Sequence, residues 1–136
     1  MAKRDSVKCP YCGKRAEMVA GSKIYPNVKG LWNRLYYLCE PCEAYVGTHI
    51  GSVVPLGTLA NKELRIARVR AHSAIDPLWK SGRMTRSGVY GWLAAEMQVC
   101  MCHIGLFDVA QCKQVIAIVN KLEGLIDQVD KLEEVT

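Results

Sequence analysis

The 136-residue chain has no apolar run approaching the roughly 18 residues that a membrane span needs. Its opening Met1-Ala2-Lys3-Arg4-Asp5 leads into no signal-type apolar region. Those two absences argue against membrane insertion and secretion and predict a cytoplasmic protein. Acidic residues are scarce in the first two thirds: residues 1–90 carry 15 Lys/Arg against 6 Asp/Glu, a balance of +9, whereas residues 91–136 carry 3 against 7, a balance of −4. A basic end of this kind suits an anionic partner, with nucleic acid the leading candidate. The alternative is a solvated basic surface with no ligand.

Cysteine is not scarce. There are seven, an odd number, and in a reducing compartment metal ligation and packing are better uses for thiols than a disulfide framework. Four of them form two pairs, Cys9-Pro10-Tyr11-Cys12 and Cys39-Glu40-Pro41-Cys42, with 26 residues between the pairs. Pro10 and Gly13 frame the first pair as a turn and Pro41 the second. Four thiolates so spaced fit one tetrahedral Zn²⁺ and predict a structural zinc ribbon. Because a Cys₄ set closes the coordination sphere, the expected metal is structural, and a catalytic zinc is disfavoured.

After a short basic lead-in over residues 1–8, the N-terminal third reads as strands. Residues 15–25 suggest one or two short strands about a Gly21-Ser22 turn, Leu35–Leu38 run into Cys39, and Ala44–His49 leave the second knuckle as a further strand. Gly51–Gly57, with Pro55 and two glycines, reads as a linker, so the expected modules are a ribbon over 1–54 and a helical module over 55–136, together an α+β fold. Thr58 or Asn61 is expected to cap a helix through Ala74. Asp76-Pro77 is expected to restart the chain, Thr85 to cap a helix containing Val89, Trp92, Leu93 and Met97, and Asp108 to cap the last helix. That last helix carries Val115, Ile118, Leu122, Leu125, Val129 and Leu132 at spacings 3, 4, 3, 4, 3, a short heptad seam. Its first half is expected to pack in the core and its distal half is a candidate homodimer contact.

Lys14, Arg15 and Arg34, with Trp32 as the exposed ring, are the candidate nucleic-acid contacts on the ribbon, and Arg65, Arg68 and Arg70 those on the following helix. Tyr37 and Tyr45 are expected in the ribbon core. Three other readings stay open. A protein-binding modulator of a host factor would use Trp79, Trp92 and the C-terminal helix. A metal-dependent nuclease would use His72 with Asp76, or His103 with Asp108, although both carboxylates already serve as expected caps. Cys100, Cys102, His103 and Cys112 are candidates for a second metal, at a spacing that matches no standard site.

Taken together, Cys9-Pro-Tyr-Cys-Gly13, Cys39-x-x-Cys-x-Ala-Tyr-Val-Gly-x-His49, Pro55-Leu-Gly-Thr-Leu-Ala60, Ala71-His72, Asp76-Pro-Leu-Trp-Lys80, Tyr90-x-Trp-Leu-Ala94 and Cys102-His-Ile-Gly-x-Phe-Asp108 make the chain resemble a family of small phage and prophage proteins described as zinc-finger-containing. The resemblance covers roughly residues 9–119. It implies a zinc-bound N-terminal module joined to a helical one, at work in a bacterial host cell, with no reaction attached. It also implies that binding a host protein, including a defence component, is one available role.

Overall fold

The computed structural model of the protein describes residues 7–135, with the side chains of Asp130 and residues 133–135 outside that description. Most of the basic lead-in expected over residues 1–8 lies outside the described residues. Three antiparallel strands come first and helices follow, the last of them long. The chain divides into two compact units, the first ending at Arg65 and the second beginning at Ile66.

Unit 1 is built on strands β1 (Glu17–Ala20), β2 (Leu35–Cys39) and β3 (Ala44–Gly47) in the order β1-β2-β3. Glu17 pairs with Leu38 and Ala20 with Leu35 on one side of β2, and Tyr36 pairs with Gly47 and Cys39 with Ala44 on the other. After β1 the chain forms no second strand. Gly21–Ile24 make one helical turn (α1), and Gly21 is buried with its N–H donating to the Arg34 carbonyl at 2.6 Å. A Cβ on Gly21 would lie 1.7 Å from the Leu31 carbonyl oxygen, so glycine is required here by close approach of two backbone segments.

Residues 51–57 are not a linker. The chain turns back beside β3, where Leu56 N–H donates to Gly47 O at 2.9 Å, and Tyr45 and Ala60 exchange hydrogen bonds of 3.1 and 3.0 Å. Leu59 is then fully buried among Cys9, Ala16, Tyr37, Cys39 and Ala44. A ribbon core with so few large side chains gains its second bulky member from residues that composition alone places in the helical module. The ribbon therefore extends past the expected boundary at residue 54.

Helix α2 (Lys62–Lys80) is capped by Asn61, whose Oδ1 accepts from Leu64 N–H at 3.0 Å. The expected restart at Asp76-Pro77 does not occur, because Pro77 lies inside the helix near its end. Proline there removes only its own bond to Ser73, and both residues are exposed, so the cost is small. Helix α3 (Arg86–Met97) has the expected Thr85 cap, accepting from Gly88 N–H at 3.0 Å. Helix α4 (Val109–Val135) opens with a reciprocal pair: Gln111 N–H donates to Asp108 Oδ1 at 2.8 Å, and Asp108 N–H donates to Gln111 Oε1 at 3.0 Å.

In unit 2 the buried set includes Ala71, Ile75, Leu78, Val89, Leu93, Ile104, Phe107, Cys112, Val115 and Val119. The heptad seam of α4 thus divides as expected. Val115 is fully buried, whereas Leu125, Val129 and Leu132 are 52, 53 and 68% exposed. Among the described residues no helix is long and apolar enough to cross a membrane.

Candidate metal centre and basic surface

Two tight turns deliver the four cysteines. In the first, Gly13 N–H donates to Cys9 O at 2.8 Å and Gly13 takes φ +77°. In the second, Glu43 N–H donates to Glu40 O at 3.1 Å and Glu43 takes φ +51°. Each knuckle therefore closes on a left-handed residue immediately after its second cysteine. Glycine adopts that conformation freely, and glutamate does so at a cost. Glu43 had no signal of its own in the sequence beyond its place in the second knuckle, matching that of Gly13 in the first.

The four sulfur atoms all lie within 4.8 Å of one another, and Cys12 Sγ and Cys39 Sγ are 3.7 Å apart. A tetrahedron with Zn–S bonds of about 2.3 Å has edges of about 3.8 Å, so the cluster has the size that zinc requires. The Lys14 backbone N–H donates to Cys12 Sγ and is the main cause of that thiol's lowered pKa. The Cys42 backbone N–H acts likewise on Cys39, where burial and the neighbouring thiols outweigh it and the net shift is upward. Burial, then the other three cysteines, pushes Cys42 up to about 12. Four protonated thiols this close resist ionising together, and a divalent cation that replaces their protons removes the conflict. Cys9, Cys12, Cys39 and Cys42 form one structural zinc site, with the N–H···S bonds of Lys14 and Cys42 orienting its ligands.

Around the metal the aromatic residues divide. Tyr37 is buried as expected. Tyr45 is half-buried and forms an edge-to-face cluster with Tyr25 and Tyr36, its hydroxyl sharing a 2.6 Å hydrogen bond with that of Tyr25. Trp32 is 39% exposed, its indole N–H donating to Pro26 O at 3.1 Å and Lys29 Nζ lying 6.0 Å from its ring.

The candidate cations are placed differently from one another. Lys14 and Arg15 are exposed on unit 1 and Arg34 is half-buried there. Arg65 is committed to the ribbon: its guanidinium lies 4.0 Å from the Tyr45 ring centroid and donates to Ala60 O at 2.7 Å and Glu43 O at 3.4 Å. In unit 2 Arg68 Nε donates to Phe107 O at 3.1 Å, while Arg70 is exposed. Of the three helix arginines, Arg65 and Arg68 are thus held on backbone carbonyls and Arg70 is exposed. The division of charge also sharpens. Residues 1–65 carry 10 Lys/Arg against 5 Asp/Glu and residues 66–136 carry 8 against 8, so the whole net charge of +5 belongs to unit 1.

The carboxylates of the alternative nuclease reading are occupied structurally. Asp76 accepts from the Trp79 indole N–H at 3.3 Å and pairs with Lys80 at 3.9 Å, and Asp108 caps α4. His72 is lowered in pKa, first by burial, with Asp76 opposing. Cys102 and Cys112 are buried thiols whose pKa burial raises, and they pack as small apolar side chains do, while Cys100 is exposed. Among the described residues the one group of three or more potential metal ligands is the Cys₄ cluster. Trp79 and Trp92 are both half-buried.

No curated protein and no solved structure matches the chain. The closed thiolate cluster does have a counterpart among protein families: the model of the zinc-finger-containing domain family DUF3268 matches residues 5–122, and the chain belongs to that family.

Proposed function

We propose that the protein is a non-enzymatic, zinc-stabilised nucleic-acid-binding protein of phage or prophage type, acting in the cytoplasm of a bacterial host cell. The observation that carries this reading is the concentration of the entire net charge on the zinc-bearing unit, beside an exposed tryptophan. Lys14, Arg15 and Arg34 supply phosphate contacts, and Trp32, with Lys29 near its ring, supplies a stacking face for an unpaired base. Arg70 is the remaining candidate on unit 2. Arg65 and Arg68 serve chiefly to hold backbone carbonyls.

The test is titration of fluorescent single-stranded and duplex oligonucleotides, DNA and RNA, at about 50 mM salt and again at higher salt. The expected result is salt-sensitive binding, weakened by Lys14→Ala and Arg15→Ala and reduced by about 1–3 kcal/mol in Trp32→Ala. Absence of affinity for every oligonucleotide at the lower salt overturns the reading. The same substrates incubated with Mg²⁺ or Mn²⁺ are expected to remain uncut.

A second reading concerns assembly. The exposed distal seam, Leu125, Val129 and Leu132, favours a homodimer through α4. Sedimentation of the full chain against a chain ending at Glu123 is expected to show a dimer that truncation dissolves, and an unchanged mass rejects it.

A further inference from the structure

Beside β2 and β3, unit 1 holds a groove of about 690 Å³ that lies away from the zinc ligands. Its walls include Arg34, Leu35, His49, Ile50, Ser52 and Val53. That volume falls within the range of about 300–1,000 Å³ typical of binding clefts. The rim is the stretch that composition marks as a linker, and it is held in one shape by many bonds. Tyr37, buried in the ribbon core, donates its hydroxyl to Val53 O at 2.6 Å. His49 N–H donates to Val54 O at 3.0 Å, Ser52 N–H to His49 O at 3.0 Å, and Val54 N–H to Ser52 Oγ at 2.9 Å. Buried Thr48 donates its hydroxyl to Leu35 O at 3.0 Å, tying the base of the loop to β2.

Such anchoring normally serves to bury a loop's apolar side chains, yet here they face water. Ile50 is 85% exposed, Val54 55%, and Val53 and Leu56 each 42%. Ile50 and Val53 line the groove itself, while Val54 and Leu56 are exposed on the same hairpin outside its lining; aliphatic side chains held exposed along a groove mark a contact surface. The fixed backbone means that a partner meets a surface already ordered, at little entropic cost.

The chemistry of the walls selects the partner. Apart from the His49 imidazole, the lining offers no ring on which a base can stack, and it holds one fixed cation, Arg34. None of the lining residues is acidic, and the unit around the groove carries the protein's whole net positive charge. Aliphatic lips with a single guanidinium and an imidazole, His49, complement apolar side chains flanked by carboxylates. We infer that this groove docks an apolar, acid-flanked peptide segment of a partner protein, with Ile50 and Val53 packing on the apolar side chains and Arg34 meeting a carboxylate. The groove belongs to unit 1, whereas Trp79, Trp92 and α4 belong to unit 2; Arg34 is the one residue it shares with the proposed nucleic-acid contacts, and the inference does not depend on nucleic-acid binding.

The probe is a pool of displayed peptides with an apolar triplet drawn from Leu, Ile, Val and Phe, flanked by Asp and Glu, selected on the zinc-loaded full chain. A Lys-flanked pool of the same triplets runs beside it. The expected result is enrichment from the acidic pool alone, with selected peptides losing about tenfold or more in affinity on Ile50→Asp and on Arg34→Glu, as for removal of an interface anchor. Ile50 is so exposed that Ile50→Asp leaves the fold intact, and unchanged zinc content and melting temperature verify this. Failure of the acidic pool to enrich overturns the inference, as does equal binding of the selected peptides by the parent and Ile50→Asp. Backbone resonances of residues 49–54 that respond to random single-stranded oligonucleotides and not to the selected peptides would assign the groove to nucleic acid instead. Loss of oligonucleotide binding in Lys14→Ala with peptide binding retained separates the two surfaces.

Discussion

Removing zinc is expected to unfold unit 1 while leaving the helical core of unit 2 in place. The ribbon core comprises Cys9, Ala16, Tyr37, Cys39, Ala44 and Leu59, and two of those six are themselves zinc ligands. Of the rest, only Tyr37 and Leu59 are large, and full burial of two such side chains contributes about 3–6 kcal/mol. A structural zinc site contributes about 10–16 kcal/mol, comparable with or greater than the whole net stability of about 5–15 kcal/mol usual for a domain. Without metal, therefore, the two large side chains cannot hold three strands of four or five residues. Unit 2 contains no zinc ligand, and Ile75, Leu78, Val89, Leu93, Ile104, Cys112 and Val115 are almost completely buried without one. Hydrogen exchange read by mass spectrometry, before and after chelation, gives the answer segment by segment. Amides of β2 and β3 should lose protection, whereas those of α3 and of the first half of α4 should keep it, and Cys9→Ser should reproduce the pattern without chelator. Two outcomes refute the reasoning: strands that stay protected in metal-free protein, or helices of unit 2 that open in step with them.

Three further expectations come from particular contacts. Gly21→Ala places a methyl carbon 1.7 Å from Leu31 O, so the backbone itself must move, at a cost above the roughly 1–3 kcal/mol of ordinary overpacking. Gly30→Ala, where nothing lies within 4 Å, is the control, and equal melting temperatures for the two variants would contradict the close approach. Tyr45 is pushed up to about 12, first by burial and then by the Tyr25 hydroxyl, against an ordinary value of about 10. A phenol raised on folding stabilises the fold fully below the unfolded value, and that contribution is lost as pH climbs from about 10 towards 12. Phenolate absorbance of the zinc-loaded protein should accordingly show a late-titrating tyrosine that Tyr45→Phe removes; ionisation of every tyrosine together near 10 would rule the cluster out. Finally, Asn61→Ala should cost about 1 kcal/mol through loss of the α2 cap, measured by denaturant midpoint at constant slope, and a value within error of zero would mean that Leu64 N–H finds another acceptor.

The parts of the fold that could be read from the sequence are those determined by a few consecutive residues. A zinc knuckle occupies about five, and a cap with its first turn about four, so Cys9–Gly13, Cys39–Cys42, Thr85 and Asp108 were all legible, and Asn61 was legible as one of two candidates beside Thr58. The misreadings share a cause. Gly21-Ser22 looks like a turn because glycine is common in turns, but the reason for Gly21 is the Leu31 carbonyl, ten residues away. Asp76-Pro77 looks like a new helix start, yet a proline near the end of α2 removes just one bond on an exposed side. Both judgements needed a neighbour that local spacing does not supply.

The same limit applies with more consequence to the basic residues. On a helical wheel Arg65 and Arg68 lie close together and Arg70 falls on nearly the opposite side, yet charge alone offers all three to a polyanion. Tertiary acceptors then separate them: the Tyr45 ring and the Ala60 carbonyl take Arg65, and the Phe107 carbonyl takes Arg68. A guanidinium bound in this way has already lost conformational freedom and part of its hydration, so recruiting it to a phosphate means breaking contacts that hold the fold. Arg65→Ala should therefore lower ribbon stability more than it lowers oligonucleotide affinity, with Lys14→Ala doing the reverse. The residues 51–57 make the converse point. Gly51, Pro55 and Gly57 suggested a flexible connection, while Val53, Val54 and Leu56 between them were apolar, which a solvated linker does not require. Those valines and that leucine were the sign, present in the sequence, that the segment is structured and presents a surface.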